Sequence, residues 1–332
     1  MNSCLKYFSV SLLALATQAA FAQVPQLGAA SDFAVLSVGT STSTPPPAPD
    51  ATAAVTTTRS TITGDVGSAG AVSFGDETSP SVITGNVVLT GAYTQVPASP
   101  PAYSGMLSSP LSPAAIMDFN AAYAALATVF CDQNLALDTY TDTTLSVNPG
   151  VICAPAAVTF TRTTLTLNGG PNDTWLFKIG NTAVGALTGT NFSVVLPAGA
   201  SACNVTWWVD AAASMTTTTT SDFKGTILAG AGITMTGTAP ATPVEGRALA
   251  RAGVTLTDIA FLGCEGGGGN GNGNGNRKGK CNQGVGNGPE NCDPGNSNQD
   301  GHNSNPFLGN PRTNDELGGT PGNPGRKGGN KQ

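Results

Sequence analysis

Only one histidine, His302, occurs in 332 residues, and it falls in a glycine-rich C-terminal stretch. The segment 23–264 therefore has no histidine with which to build a Ser-His-Asp or Cys-His site, or a histidine-ligated metal centre. Charge is scarce as well, at 10% of residues. In 23–264, 14 acidic residues face six basic ones (Arg59, Arg162, Lys178, Lys224, Arg247, Arg251), a net of −8. That balance is not a nucleic-acid footprint. Nor is there a long apolar run after the N-terminus, so no transmembrane segment is expected.

The N-terminus reads as a secretory signal over 1–22. Lys6 gives a basic start, Val10–Ala16 an apolar run, and Ala20-Phe21-Ala22 a small-x-small cleavage site before Gln23. The C-terminal segment 265–332 holds 20 of the 43 glycines, with Val285, Phe307, Leu308 and Leu317 as its larger apolar residues besides cysteine. Such a Gly/Asn-rich composition cannot bury enough surface to offset its ordering entropy, and a disordered tail is expected. Between them, 23–264 is long enough for one sizeable core. Of seven cysteines, Cys4 leaves with the signal. The remaining six suit disulfides in an exported chain. Among the 15 possible pairings, proximity and nesting favour Cys131–Cys153, Cys203–Cys264 and Cys281–Cys292, against free thiols at one or more sites.

Internal repetition supplies the architecture. Lys224–Gly237 slid by 21 residues onto Glu245–Asp258 matches at seven of fourteen positions: Gly225/Gly246, Leu228/Leu249, Ala229/Ala250, Ala231/Ala252, Gly232/Gly253, Thr234/Thr255 and Thr236/Thr257. Ile62-Thr63-Gly64-Asp65-Val66 recurs as Ile83-Thr84-Gly85-Asn86-Val87 at the same offset. Repeats of this length predict stacked coils, each too small to bury its apolar side alone. Further strands are expected at Phe33–Ser37, Val158–Leu167, Asp173–Gly180, Phe192–Leu196 and Asn204–Val209, with loops over Thr40–Ala54 and Tyr93–Pro113. One helix interrupts the pattern. Ser112 is a good N-cap and Pro113 a good first residue. Ile116, Phe119, Tyr123, Leu126 and Phe130 then form an apolar stripe, so a helix is predicted at about 113–136, packed on the side of the stack. It carries no Lys or Arg, which argues against a membrane-surface role.

In the repeated coils, Ile233, Met235, Val254 and Leu256 alternate with Thr234, Thr236, Thr255 and Thr257. With the apolar set inward, the threonines face out, and an offset of 20 adds Ser214 and Thr216. Stacking at about 4.8 Å would align them in two ranks on one flat face. Such ranks either order water on the surface or simply stabilise a sheet.

Several segments together resemble the microbial ice-binding proteins of the DUF3494 type: Leu27–Leu36, Ile62–Gly67, Asp173–Gly180, Ala202–Trp207, Phe223–Ala229 and Glu245–Arg251. The resemblance spans about 26–264. It implies a mainly β fold: a right-handed, discontinuous parallel β-solenoid of triangular section, with one long α-helix alongside and chain ends that meet beside it. It also implies a secreted, extracellular protein that adsorbs to ice through one flat face, inhibiting recrystallisation, with ice and its ordered water as the partner. A Thr-[Ala/Gly]-x-[Thr/Asn] signature linked to that face is met at Thr188-Gly189-Thr190-Asn191. Near matches at Thr63, Thr84 and Thr236 fail at the last position. The candidate ice-contact residues are thus Ser214, Thr216, Thr234, Thr236, Thr255, Thr257, Thr188 and Asn191.

No enzyme activity, cofactor or metal is expected. β-Helical lyases and glycosidases need clustered carboxylates or a calcium-and-arginine site. The acids here (Asp65, Asp76, Glu77, Asp118, Asp132, Asp138, Asp173, Asp210) are scattered. The alternative function is a cell-surface or matrix adhesin domain that uses the stack as a spacer or carbohydrate-binding face. The tail motivates it, with alternating Gly and Asn at Asn270–Asn276, oxygen donors in Asp293–Gly301, and Arg326-Lys327 near the end. A flexible linker is the simpler reading of that tail, which departs from the EF-hand pattern. A monomer is expected.

Overall fold

Short strands, cut at corners and, among the described residues, paired only in parallel, wind into a three-faced β-solenoid. The computed structural model describes residues 26–264 apart from 41–48, 77–78, 99, 219–220 and 239–241. The expected leader at 1–22, the tail at 265–332 with its Cys281–Cys292 pair, and Glu77 lie outside the described residues.

The chain enters the stack in its middle. On the face that carries the helix, the spatial order runs Gln133–Asn134, Gly150–Ala154, Trp175–Ile179, Val205–Val209, Phe223–Ala229, Thr242–Ala250, then Phe33–Ser37, Asp65–Ser68, Val87–Leu89 and Leu107–Ser108. Phe33–Ser37 is the first strand of the chain, yet it pairs with Thr242–Ala250, near the end of the described fold. The first coils run outward to one end. The α-helix returns along the side to the other end, and the remaining coils climb back to meet the first. The solenoid is therefore discontinuous in sequence although continuous in space.

Two strands turn a corner without breaking. Phe223–Ala229 and Thr242–Ala250 bend at Gly225 and Gly246, where φ is +127° and +146°. A Cβ at Gly246 would lie 1.9 Å from the Gly225 carbonyl oxygen, so neither the backbone angle nor the space admits a side chain.

Alternation sends one side chain in two into the tube. Its filling includes Val35, Val55, Phe74, Phe160, Phe177, Trp207, Met235 and Leu256, all buried. Flat ring stacks repeat the coil spacing: Phe177 on Trp207 at 4.1 Å between centroids and Phe160 on Phe192 at 4.4 Å. A second apolar layer lies outside the tube. There Leu111, Ala115, Phe119, Tyr123 and Leu126 cover Leu36, Leu176, Trp208, Leu228 and Leu249. This explains strands such as Trp175–Ile179 in which every residue is buried.

The helix spans Pro113–Ala127, shorter than the apolar stripe predicts. Ser112 caps it by accepting from the Ala114 N–H, as expected. At the other end the Thr128 hydroxyl donates to the Ala125 carbonyl at 2.8 Å. Lys178 Nζ reaches out of the sheet to donate to Ala127 O at 3.0 Å and Val129 O at 2.6 Å. The Cys131–Cys153 disulfide then pulls the chain back onto the stack. Phe130 consequently leaves the stripe and is 91% exposed. The segment expected as a loop over Tyr93–Pro113 also holds two short strands, Tyr93–Gln95 and Leu107–Ser108, which add the outermost rungs.

Lys178 is buried over the Trp208 ring, and desolvation lowers its ammonium pKa from 10.5. Because the unfolded chain then holds the proton to higher pH than the native one, stability rises as pH climbs through that window toward 10.5. The melting temperature is expected to show this rise on the alkaline side, as pH approaches 10.5 from below, and Lys178→Met to remove it.

Candidate functional site

The nine-stranded sheet forms a face with no described helix over it. In spatial order its strands are Thr139–Thr141, Val158–Thr161, Leu187–Thr190, Ala213–Thr216, Ile233–Thr236, Val254–Thr257, Ala54–Thr58, Ala71–Gly75 and Tyr93–Gln95. Parallel register places their outward residues in straight files. The first rank is Thr139, Thr159, Thr188, Ser214, Thr234, Thr255, Thr56, Ser73 and Thr94, a hydroxyl on every strand. The second is Thr141, Thr161, Thr190, Thr216, Thr236, Thr257 and Thr58, ending at Gly75. Every one of these positions is exposed or half-buried, while Phe160, Met215, Met235, Leu256 and Phe74 between the ranks are buried.

Rungs about 4.8 Å apart and ranks about 6.7 Å apart give a grid roughly 38 Å long. Neither rank contains a charge. Each threonine presents a hydroxyl and a methyl from a side chain that is stiff at χ1, so the grid is rigid as well as regular. Chemically it can hydrogen-bond an ordered water layer and, through its methyls, resist competing arrangements of that layer. Neither rank includes a carboxylate, imidazole, thiol or amine beside its hydroxyls.

Charge is confined to the edge. Directly after the second rank the backbone turns through left-handed angles at Asp142, Arg162, Asn191, Asp258 and Arg59, with φ of 51°, 47°, 51°, 56° and 48°. Arg162 pairs with Asp142, and Arg59 with Asp258 and Asp76. Hydrogen bonds from Arg59 hold the Asp258 carboxyl below the usual aspartate range, and Arg162 does the same for Asp142. The third face is mixed: Lys224 pairs there with Asp222 and Glu245, and Leu262 is exposed beside them.

Of the residues expected from the sequence, Ser214, Thr234, Thr255 and Thr188 stand in the first rank, and Thr216, Thr236 and Thr257 in the second. Asn191 stands at the corner, outside both. Thr63 belongs to the third face. Sequence offsets missed Thr139, Thr159, Thr56, Ser73 and Thr94 in the first rank, and Thr141, Thr161, Thr190 and Thr58 in the second. The signal for them was there, in alternating hydroxyl and apolar residues such as Val158-Thr159-Phe160-Thr161.

Four of the scattered acids serve as backbone acceptors. Asp65 accepts from the Asn86 N–H at 2.8 Å, Asp118 from Ala29 at 2.8 Å, Asp132 from Val151 at 2.8 Å and Asp173 from Gly170 at 2.7 Å. Among the described residues no three His, Cys, Asp or Glu side chains converge as a metal site would need. Cys203 and Cys264 are joined, and Cys131 and Cys153 likewise; neither disulfide includes a residue of the hydroxyl grid. No described helix is long and apolar enough to cross a membrane.

A family model described as ice-binding-like matches residues 50–261. No curated protein matches the chain. Among solved structures, an ice binding protein from an Antarctic biological consortium is 27% identical with a TM-score of 0.50, over 73% of this chain and 92% of that one. An ice binding protein from an Antarctic Flavobacteriaceae bacterium is also 27% identical at a TM-score of 0.50, over 74% of this chain and 49% of that longer one. The ice-binding protein of the Antarctic ascomycete Antarctomyces psychrotrophicus, 23% identical with a TM-score of 0.52 over 74% of this chain and all of that one, shares the fold.

Proposed function

Because the chain belongs to the ice-binding-like family, whose model spans residues 50–261, we propose that it is a secreted ice-binding protein that adsorbs to ice through the hydroxyl face. One observation carries the assignment of the face: the two uncharged hydroxyl ranks run side by side without a gap over seven strands, and the first continues over nine. Ice presents a rigid periodic plane, and only a rigid periodic array can hold many points of it at once. Each water-mediated contact is weak, so adsorption needs many of them made together. The other two faces lack this property. One lies under the helix, and the other is broken by the Lys224 ion pairs and by Leu262.

A secreted site of action agrees with the leader-like 1–22 and with disulfides that an oxidising compartment would maintain. The test is adsorption of the full chain to ice. It is expected to concentrate in a slowly growing ice hemisphere, to open a gap between melting and freezing points, and to stop recrystallisation. A chain excluded from the hemisphere like an ordinary solute, with neither other effect, would refute the reading.

A further inference from the structure

The hydroxyl face is assembled from two separate parts of the chain. Thr139–Thr257 contributes six strands and Ala54–Gln95 three, and the two sets touch only where Val254–Thr257 pairs with Ala54–Thr58. Among the described residues the covalent connection between them runs through the helix, and both disulfides join cysteines that follow the helix, so neither crosses to the earlier part. The register of Thr255 against Thr56, and of Thr257 against Thr58, is therefore held by non-covalent contacts alone.

Arg59 is the side chain that spans this seam beside the grid. It follows Thr58 directly, while Asp258 follows Thr257 and Asp76 follows Gly75, so all three stand one residue past the second rank. Arg59 Nε donates to Asp258 Oδ1 at 2.8 Å and Nη2 to Oδ2 at 2.7 Å, a planar fork-to-fork pair across the seam. Its remaining Nη1 donates to Asp76 Oδ2 at 2.7 Å, in the next coil of the earlier part. One guanidinium thus ties three successive coils, two on one side of the join and one on the other. A bidentate pair fixes orientation as well as distance, which a single lysine contact cannot do. The rest of the seam is backbone ladder, buried apolar packing such as Val55 with Val254 and Leu36 with Leu249, and single bonds: the Ile259 N–H to the Ser60 hydroxyl at 3.2 Å beside Arg59, and the Ser37 hydroxyl to Ala252 O at 2.6 Å and Arg247 Nε to Ser31 O at 3.2 Å on the far side of the coil. None of these is bidentate, and apolar packing sets distance more than angle.

We propose that Arg59 is a positioning residue for ice adsorption: it keys the two parts of the chain so that their hydroxyl ranks act as one grid. The proposal rests on the ice-binding reading above. Its physical content is that a surface ion pair adds little to global stability, yet a join that breathes divides a nine-rung array into a six-rung and a three-rung one. Linked contacts that no longer engage together lose their joint affinity far faster than their number falls.

Arg59→Ala in the full chain tests this, with a second variant as rescue. Thr61 and Ala260 are register partners across the same seam, on the third face and away from the grid. Neighbouring parallel strands bring Cα atoms to about 4.8 Å, within disulfide reach, so Thr61→Cys with Ala260→Cys can staple the join. Arg59→Ala is expected to raise amide exchange at Thr56–Thr58 and Thr255–Thr257 by about tenfold while leaving Thr159–Thr161 unchanged. Ice adsorption is expected to fall by about tenfold, and the staple to restore both readouts. Unchanged exchange at the seam overturns the proposal. So does adsorption that stays low once the staple has restored exchange, because Arg59 would then act in contact with ice itself. Should the unaltered protein fail to adsorb to ice, the ice reading falls separately, and exchange still reports whether Arg59 holds the seam.

Discussion

A Thr234→Tyr, Thr255→Tyr double variant is expected to lose nearly all adsorption to ice while melting like the original protein. The two threonines are register partners at the fifth and sixth of nine rungs, the centre of the first rank. Both side chains are exposed and neither touches the core, which is filled from beneath by Ile233, Met235, Val254 and Leu256. Tyrosine is favoured in strands, so the sheet itself accepts the change. The surface does not. Two rings standing several ångströms above a rigid grid hold the neighbouring hydroxyls off any plane that meets them. If four to six contacts of about 0.5 kcal/mol each are lost, adsorption weakens by roughly 2–3 kcal/mol, about two powers of ten. The freezing-point gap and recrystallisation of the variant are the measurements, with circular dichroism as the control on folding. Activity within twofold of the original would move ice contact to a different face of the solenoid.

The repeat of 21 residues made the stack and the inward and outward sides of Ile233–Thr236 and Val254–Thr257 legible from the sequence, and the structure pairs them in that register. Offset arithmetic stops working elsewhere because coil length varies. Thr159 and Thr188 are partners 29 positions apart, Thr188 and Ser214 26, and Thr56 and Ser73 only 17, since loops of different size occupy the corners on both sides of the helix-bearing face. The pairing of Thr255 with Thr56 has no sequence offset to find, because it joins the end of the fold to its beginning. The resemblance to known ice-binding proteins implied such a meeting of ends, but no residue pattern located it. The helix end was misjudged for a related reason. The stripe through Phe130 is a local signal, whereas the stop at Ala127 comes from Lys178 and Cys153, which arrive from strands later in the chain. Asn191 fitted a short signature, but its left-handed φ of 51° takes it round the corner and off the face.

Replacing Trp207 by alanine is the change expected to cost the most stability. Its ring is fully buried, lies flat on Phe177 at 4.1 Å, and meets Phe192 at 5.8 Å and Phe223 at 5.6 Å. Its Nε1 donates to Lys224 O at 3.1 Å. The corner is shaped around it: a Cβ at Gly225 would come within 2.6 Å of that same nitrogen. Truncation therefore opens a cavity in a rigid stack of rings, which cannot collapse into it, and strips a carbonyl of its partner. Trp-to-Ala cavities cost about 3–5 kcal/mol, and an orphaned buried acceptor adds about 1–3 kcal/mol. A loss near 5 kcal/mol takes much of the stability of an ordinary domain, about 5–15 kcal/mol. Trp207→Phe keeps an aromatic ring in the stack but loses the hydrogen bond and part of the indole volume, for a cost of about 2–3 kcal/mol, so the gap between the two variants reports the stacking that phenylalanine retains. Urea midpoints of the two variants measure the difference, and equal midpoints would refute the cavity account. The contrast with the tyrosine pair is functional. Trp207 lies inside the tube, so the alanine variant should reduce ice activity only in proportion to its folded fraction, whereas the tyrosine pair should reduce the activity of each folded molecule. Cooling weakens hydrophobic stabilisation, so the folded fraction that matters is the one measured at the temperature of the freezing assay.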